Sequence, residues 1–216
     1  MLSAMHIAAE KGALVTGFNY GNLGYLVPDV AMNRYALVDK LRQLLDDVAP
    51  TDDDAEAYKI SEYKLPLLKG ENHVAINDFY FVPAANGSAA DFTVTIGKDS
   101  SNFSTKSSGI VVSTPFGSTG LALSAGGSIL SPNSGVLEVV PMLPHTLTSR
   151  PIIVPDSDTI AVAWDRKVQV MADGRLIDTR GPGEVIVKCK KRKIRMVQPK
   201  AWDFFENLKN KMKWHS

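Results

Sequence analysis

The segment Ser113-Thr-Pro-Phe-Gly-Ser-Thr-Gly-Leu-Ala-Leu-Ser-Ala-Gly-Gly127 marks the point where an apolar strand turns into a short helix. The strand ends at Thr114-Pro115, and small residues form a turn that opens the helix, which Gly126-Gly127 would stop. Ser118 or Thr119 is suited to cap this helix and to leave backbone N–H groups directed at whatever lies in front. An anion or the polar edge of a nucleotide fits such a place. On residue chemistry alone, a capped helix that binds nothing remains the alternative.

Short segments with strand-like composition surround this turn from residue 57 onward. The predicted strands are Tyr58–Leu65, His73–Ile76, Phe79–Val82, Asp91–Ile96, Gly109–Thr114, Ile152–Val154, Thr159–Trp164, Val168–Met171, Leu176–Thr179 and Glu184–Met196. Glycine, proline or aspartate separates most of them, which is typical of antiparallel sheets packed as a sandwich.

Helical spacing of apolar residues occurs before and after these strands. It predicts a helix up to Lys11-Gly12, followed by a short strand over 13–18, then a helix over 35–48 and a last helix over 202–214. The predicted fold class is therefore α/β followed by mostly-β, with a C-terminal helix.

Composition excludes several classes of protein. The 216 residues carry a net charge of +1, and such an even balance argues against a general nucleic-acid or membrane-surface binder. The single cysteine, Cys189, excludes a disulfide framework and a cysteine-based zinc site, and it favours a reducing compartment. No apolar run approaches the length needed to span a bilayer, and the N-terminus does not resemble a signal peptide. The four histidines have no spacing suited to a metal site or a catalytic triad. We therefore expect a cytoplasmic protein without nucleic-acid or membrane partners and without a metal site of its own.

Two further segments are candidates for chemistry. Asn77 and Asp78 lie between apolar strand segments, where they could hold a turn, or read a base edge or a ribose diol. Met171-Ala-Asp-Gly-Arg175 contains an Asp-Gly hairpin turn that needs no ligand to explain it.

Taken in order, these segments resemble the NAD kinases. The family has an Asn-Glu pair, a segment like Arg-Gly-Asp-Gly-hydrophobics-Ser-Thr-Pro-Thr-Gly-Ser-Thr-Ala-Tyr-Ser-Leu-Ser-Ala-Gly-Gly, a stretch like Pro-His-Ser-Leu-Ser-Xaa-Arg-Pro, and an Asp-Gly-Gln turn. This chain has Asn77-Asp78, Lys106-Ser-Ser-Gly-Ile-Val-Val-Ser-Thr-Pro-Phe-Gly-Ser-Thr-Gly120, Pro144-His-Thr-Leu-Thr-Ser-Arg-Pro151 and Asp173-Gly-Arg175. The resemblance runs essentially from end to end.

The resemblance implies a fold and a reaction. The fold would be a remnant of a Rossmann-like lobe over 1–33, a β-sandwich nucleotide-binding lobe over 34–196, and a C-terminal helix over 197–216 that packs back on the first lobe. The reaction would be transfer of a phosphoryl group from ATP, with a divalent metal such as Mg²⁺, to the 2′-hydroxyl of the adenosine ribose of NAD. The partners would be these small nucleotides, and we expect a homo-oligomer, either a dimer or a tetramer.

The resemblance also implies which residues bind NAD. Asn77 and Asp78 would hold it as the Asn-Glu pair does, and Arg175 would stand where the glutamine of the turn contacts it. The adenine and ribose would be lined by Thr119, Gly120, Leu121, Ala122, Leu123 and Ser124. Lys106 and Ser108 occupy the positions of the family's arginine and aspartate.

The chain departs from the family at several of these positions. Ser108 supplies no carboxylate, Leu121 replaces a tyrosine able to stack, Asp78 is shorter than glutamate, and Phe116 replaces a small or polar residue. The Gly-Gly-Asp-Gly motif, whose aspartate is taken as the base, does not occur in the 216 residues, and it would fall immediately ahead of Met1. No catalytic base is therefore assigned within the chain, and we expect the isolated chain to be weak or inactive.

Two alternatives remain at this stage. One is a catalytically inactive dinucleotide-binding or oligomerising paralogue, and a weaker one is a lipid kinase of the diacylglycerol type. Ser118-Thr119, Asn77 and the stretch from Pro144 to Pro155 favour the NAD branch over the lipid kinase.

Overall fold

The computed structural model of the chain describes residues 2–17, 27, 58–85, 87–97 and 101–213. Within them the elements are, in chain order, α1 (Leu2–Lys11), β1 (Leu14–Val15), β2 (Tyr58–Leu68), β3 (Asp78–Pro83), β4 (Ala90–Ile96), β5 (Ser101–Ser107), β6 (Gly109–Ser113), a 3₁₀ turn (Gly117–Thr119), α2 (Leu121–Ser124), β7 (Val136–Met142), β8 (Ile152–Pro155), β9 (Thr159–Trp164), β10 (Val168–Ala172), β11 (Arg175–Arg180), β12 (Gly183–Pro199) and α3 (Phe204–Met212). The predicted helix over 35–48 lies outside the described residues.

Most predicted strands are confirmed, and three differences have physical causes. The segment 73–76 is not a strand: Val74 makes an isolated bridge with Leu67, and the chain bends at residues 76 and 77. Strands β5 and β7 were missed. Strand β5 is almost entirely polar, and β7 contains a glutamate and a proline, so neither has the composition of a typical strand.

The described chain divides into two compact units. One contains the described residues within Ser3–Glu62 and Ile194–Ser216, and the other contains those within Tyr63–Lys193. The predicted domain boundaries at residues 33 and 196 stay a prediction.

The second unit is a sandwich of two antiparallel sheets. One sheet has the order β11-β10-β3-β6-β7-β8, and the other contains β9, β4 and β5 with the first part of β12 beside β9. Phe79 and Phe81 from the first sheet and Phe92 and Val94 from the second are fully buried in one shared core. The rings of Phe81 and Trp164 stack across it, with centroids 5.7 Å apart. This core confirms the predicted sandwich.

The central strand β6 positions the turn at the start of the segment Ser113–Gly127. All five of its residues are buried, because β3 and β7 pair with its two edges, Ile110 and Val112 belong to the sandwich core, and Val111 packs with Ala122 of α2. Its last residue, Ser113, pairs with Asp78 at the start of β3, so the segment after β6 and the segment before β3 meet at one end of the sheet.

In the first unit, α1 buries Met5 and Ala8, and β1 pairs in parallel with the last part of β12. Asp203 caps helix α3, because its side chain accepts a hydrogen bond from the N–H of Glu206 at 2.9 Å. The predicted C-terminal helix is thus confirmed in type. Within the described ranges, no helix is both long and apolar enough to cross a membrane.

Candidate functional site

The short peptide Ile76–Asp78 is held from one side by Asp173, which lies in the turn between β10 and β11. The Asp173 carboxylate accepts hydrogen bonds from the N–H groups of Ile76 at 2.9 Å, Asn77 at 2.7 Å and Asp78 at 3.2 Å. In return, the N–H of Asp173 donates to the carbonyl of Asp78 at 3.0 Å. These contacts end the pairing of this segment with β2, because the N–H of Ala75 still donates to the carbonyl of Pro66 whereas the N–H of Ile76 points to a carboxylate.

Thr114 holds the same peptide from the other side. Its hydroxyl donates to the carbonyl of Ile76 at 2.6 Å, and its N–H donates to the carbonyl of Asn77 at 2.8 Å. The hydroxyl also accepts from the N–H groups of Phe116 and Gly117, at 3.1 and 3.2 Å. One threonine therefore links the Asn77 peptide to the start of the glycine-rich turn.

Gly117 lets this turn approach the Asn77 peptide closely. A Cβ atom at this position would overlap the carbonyl oxygen of Asn77, and it would lie 2.6 Å from the carbonyl carbon and 2.7 Å from the Ser113 hydroxyl. Two of these atoms belong to the backbone and cannot turn away, so the arrangement requires glycine.

The prediction that Ser118 or Thr119 caps the helix is wrong. Neither the 3₁₀ turn nor α2 has a side-chain cap, and the residue before α2 is Gly120. The fully buried Ser118 hydroxyl instead donates to the carbonyl of Pro115 at 2.7 Å and accepts from the N–H of Leu130 at 3.1 Å. It holds the loop in place from inside. The predicted stop after α2 is confirmed, because Gly126 takes φ +90° and ends it.

Asp78 carries the most perturbed carboxyl group of this cluster. The residue is 5% exposed, and burial followed by the nearby Asp173 raises its pKa from 3.8 to about 7. Burial, with a smaller contribution from Asp78, also raises the pKa of Tyr80. Near neutral pH, Asp78 therefore exists as a mixture of acid and carboxylate, which can donate or accept a hydrogen bond.

A second buried carboxyl group, Glu138 on β7, lies behind the loop. Its Oε1 accepts from the N–H of Ser128 at 2.7 Å, and its Oε2 has no hydrogen-bond partner among the described residues. Burial raises its pKa, and the hydrogen bond from Ser128 partly opposes this. Sequence reasoning missed Glu138 because it missed β7.

The structure brings some of the predicted NAD-binding residues together and separates others. Asn77 and Asp78 lie beside the turn that leads into residues 119–124. Within that segment, the side chain of Ala122 is fully buried against Val111 and Val140, which leaves only its backbone for a ligand. Arg175 is exposed and opens β11, two residues beyond Asp173.

Lys106 and Ser108 lie elsewhere. The N–H of Ser108 donates to the carbonyl of Met142, and the carbonyl of Lys106 accepts from the N–H of His145. Both residues are thus at the opposite end of β6 from Ser113. At about 3.3 Å per residue, that end is about 16 Å away.

The sequence did not identify Asp173 and Thr114 as the residues that hold the peptide Ile76–Asp78. Asp173 was interpreted as part of a turn, and Thr114 only as the end of a strand. A threonine followed by proline and small residues is a recognisable signal for a turn in which the hydroxyl accepts nearby backbone N–H groups, as Thr114 does here. No local signal identifies the contacts of Asp173, because its partners are 95 to 97 residues away. In the part of the chain that the structure describes, no group of three His, Cys, Asp or Glu residues is placed to hold a metal ion.

Comparisons with known proteins all point to one family. The family model described as the ATP-NAD kinase C-terminal domain matches residues 76–198. An NAD kinase of Colwellia psychrerythraea is 36% identical over 223 residues, which cover 99% of this chain and 73% of that protein. An NAD kinase of Shewanella baltica is 36% identical over 228 residues, with coverage of 100% and 70%.

Solved structures show the same fold. An NAD kinase from Archaeoglobus fulgidus in complex with ATP superposes with a TM-score of 0.73 at 21% identity, covering 93% of this chain and 74% of that one. Yeast NADH kinase complexed with NADH gives a TM-score of 0.72 at 22% identity, with coverage of 94% and 61%.

Proposed function

The chain belongs to the NAD kinase family, and from that premise we propose how its residues serve the reaction. The function supported best is that of a phosphotransferase: a phosphoryl group passes from ATP to the 2′-hydroxyl of the adenosine ribose of NAD, which gives NADP. The observation that carries this function is the match of the whole chain, at 36% identity, to an NAD kinase. The alternative of an inactive paralogue is not favoured, since the relatives compared are named as kinases.

Asn77 and Asp78 are the residues that hold the dinucleotide. Asp173 and Thr114 hold the backbone of this pair from both sides, so the two side chains leave the chain from a fixed backbone. A fixed amide and a carboxyl group suit a ribose diol, because they supply donors and acceptors without further loss of backbone entropy. With a pKa of about 7, the Asp78 carboxyl can take either role toward a hydroxyl group.

The segment 119–124 lines the adenine and ribose, with the backbone of Gly120 exposed and the side chain of Leu121 partly so. Leu121 offers an apolar contact where a tyrosine would stack. Arg175 reaches the ligand from the β10–β11 turn, where its guanidinium can pair with a phosphate or a carbonyl. ATP is the phosphoryl donor, and Mg²⁺ enters with its phosphates, which it binds in preference to an all-protein cage.

Lys106 and Ser108 support the proposal of a homo-oligomer, a dimer or a tetramer. They lie at the end of β6 opposite to the Asn77 peptide, so a second copy of the chain is the simplest way to bring all the assigned residues to one nucleotide. We also propose a cytoplasmic location, since the sequence holds a single cysteine, Cys189, and proteins of reducing compartments are typically without disulfides.

The test is NADP formation by the purified 216-residue chain with NAD, ATP and Mg²⁺, followed by an NADP-specific dehydrogenase, together with calorimetric titration of NAD. We expect NAD to bind and NADP to form only when ATP is present. Because the sequence contains no Gly-Gly-Asp-Gly motif, turnover should stay below about one per second, the low end of typical enzyme rates. If the chain neither binds NAD nor forms NADP, the proposed function is contradicted. Turnover faster than about one per second would contradict only the expectation that the isolated chain is slow.

A further inference from the structure

The turn aspartate Asp173 makes contacts that a hairpin does not need. Residues Asp173 and Gly174 connect β10 to β11, and both have positive φ, +49° and +79°. For a hairpin of this kind the backbone alone is sufficient. Yet the Asp173 carboxylate leaves its own hairpin and accepts hydrogen bonds from three consecutive amides, those of residues 76, 77 and 78.

These three amides belong to the peptide that carries the predicted NAD ligands. Asp78 is the first residue of β3, but Ile76 and Asn77 lie between the isolated bridge at Val74 and that strand, so strand pairing on its own does not fix these two residues. Hydrogen bonds to a charged acceptor are about twice as strong as neutral ones. A half-buried carboxylate facing three N–H groups therefore gives this peptide one preferred conformation.

The same turn also carries Arg175. The N–H of Asp173 donates to the carbonyl of Asp78, and residues 172 and 175 are paired across the hairpin. Strand β10 also pairs with β3, where Ala172 lies opposite Phe79. The Asp173 side chain extends this pairing to Ile76 and Asn77, the two residues ahead of β3.

We propose that Asp173 is a positioning residue for NAD recognition, which fixes Asn77 and Asp78 relative to Arg175. This inference rests on the proposed function of the site. Asp173 acts through the peptide that it holds, and its contribution is to affinity and orientation.

The test compares Asp173→Asn and Asp173→Glu with Asp165→Asn. Asparagine tolerates the left-handed conformation but loses the charge and one acceptor oxygen, while glutamate keeps the charge on a longer arm. Asp165 is a matched control, because it lies in the turn before the same strand β10 and accepts one amide, that of Asp91, at 3.0 Å. It has no contact with residues 76–78 among those described.

Calorimetry with NAD, well below the melting temperature of each variant, is the first measurement. We expect about tenfold weaker binding for Asp173→Asn, in keeping with the loss of a charged hydrogen-bond acceptor, partial recovery for Asp173→Glu, and no change for Asp165→Asn. In turnover assays the KM for NAD should rise with kcat nearly constant. A lower melting temperature with unchanged NAD affinity would overturn the inference, since Asp173 would then only stabilise the fold.

Amide hydrogen exchange in the wild-type chain provides a second measurement that needs no variant. The amides of residues 76 and 77 should exchange slowly before NAD is added, because Asp173 already holds them. Rapid exchange at both amides would overturn the inference even if the variants did not fold. Absence of NAD binding by the wild-type chain would instead overturn the proposed function itself, and the two failures are therefore distinguishable.

Discussion

Replacing Asp78 by asparagine should stabilise the protein at neutral and alkaline pH. Asp78 is 5% exposed and its pKa in the folded chain is about 7, against an ordinary value of 3.8. Between these two values the folded state keeps a proton that the unfolded state has released. The free energy of unfolding therefore decreases as the pH rises from about 4 to about 7. Asparagine resembles the neutral acid and does not ionise, so the variant is spared this decrease in the free energy of unfolding.

The magnitude follows from the pKa difference. The folded and unfolded pKa values differ by about three units, and each unit corresponds to about 1.36 kcal/mol. Ionisation of Asp78 therefore lowers the free energy of unfolding by on the order of 4 kcal/mol above about pH 7. We expect the stability of Asp78→Asn relative to wild type to be near zero at pH 4 and to rise with pH. It should level off above about pH 7.

Urea unfolding of both proteins at several pH values between 4 and 8.5 measures this difference, and other titrating groups cancel when the two are compared at one pH. Asp165→Asn is the control, because Arg166 lowers the pKa of Asp165, so the pH-dependent part of its contribution to stability lies below about pH 4. The stability difference between this variant and wild type should therefore hardly vary between about pH 5 and 8.5. A stability difference for Asp78→Asn that does not vary with pH would refute the reasoning.

Three further variants test the site. Asn77→Ala should leave polar groups of the bound dinucleotide unpaired and weaken NAD binding by about 1–3 kcal/mol in calorimetry, with folding intact; equal affinity would remove Asn77 from the site. Thr119→Val keeps the volume and removes the hydroxyl, so NAD affinity should fall while the melting temperature hardly changes; the reverse result would make this residue purely structural. Gly117→Ala should cost about 1–3 kcal/mol of stability in urea unfolding and weaken NAD binding, because its methyl group would meet the Asn77 backbone. Gly181→Ala, where a methyl group meets no atom within 4 Å, is its control and should be close to neutral.

The sandwich was predictable because most of its strands alternate or run apolar between turn residues. Strand β5 was not, since only Phe103 in it is a large apolar residue. Strand β7 was not predictable either, because its Glu138 is fully buried and its Pro141 pairs with Ile110 in the sheet interior. In both strands, tertiary pairing overrides the preference of the individual residues.

The candidate site was predictable in its parts and not in its connections. The segment Ser113–Gly127 and the Asn77–Asp78 pair stood out through their residue types and their resemblance to one family. The contacts that join them to Thr114 and Asp173 link residues 37 to 97 positions apart, and no sequence periodicity reports on such separations. The contacts of Asp173 with residues 76–78 were not expected, because the Asp-Gly turn was already a sufficient explanation for both of its residues.

The structure also separates two kinds of departure from the family pattern. Phe116, where the family has a small or polar residue, is 4% exposed, and its ring meets that of Tyr63 edge-on with centroids 4.5 Å apart. Since this side chain points into the core, its bulk is accommodated by packing, and its N–H still donates to Thr114. Leu121 is partly exposed in the segment that we propose to line the adenine, and an aromatic ring is lost there. We therefore expect the residue at position 116 to affect stability and the residue at position 121 to affect the strength of nucleotide binding.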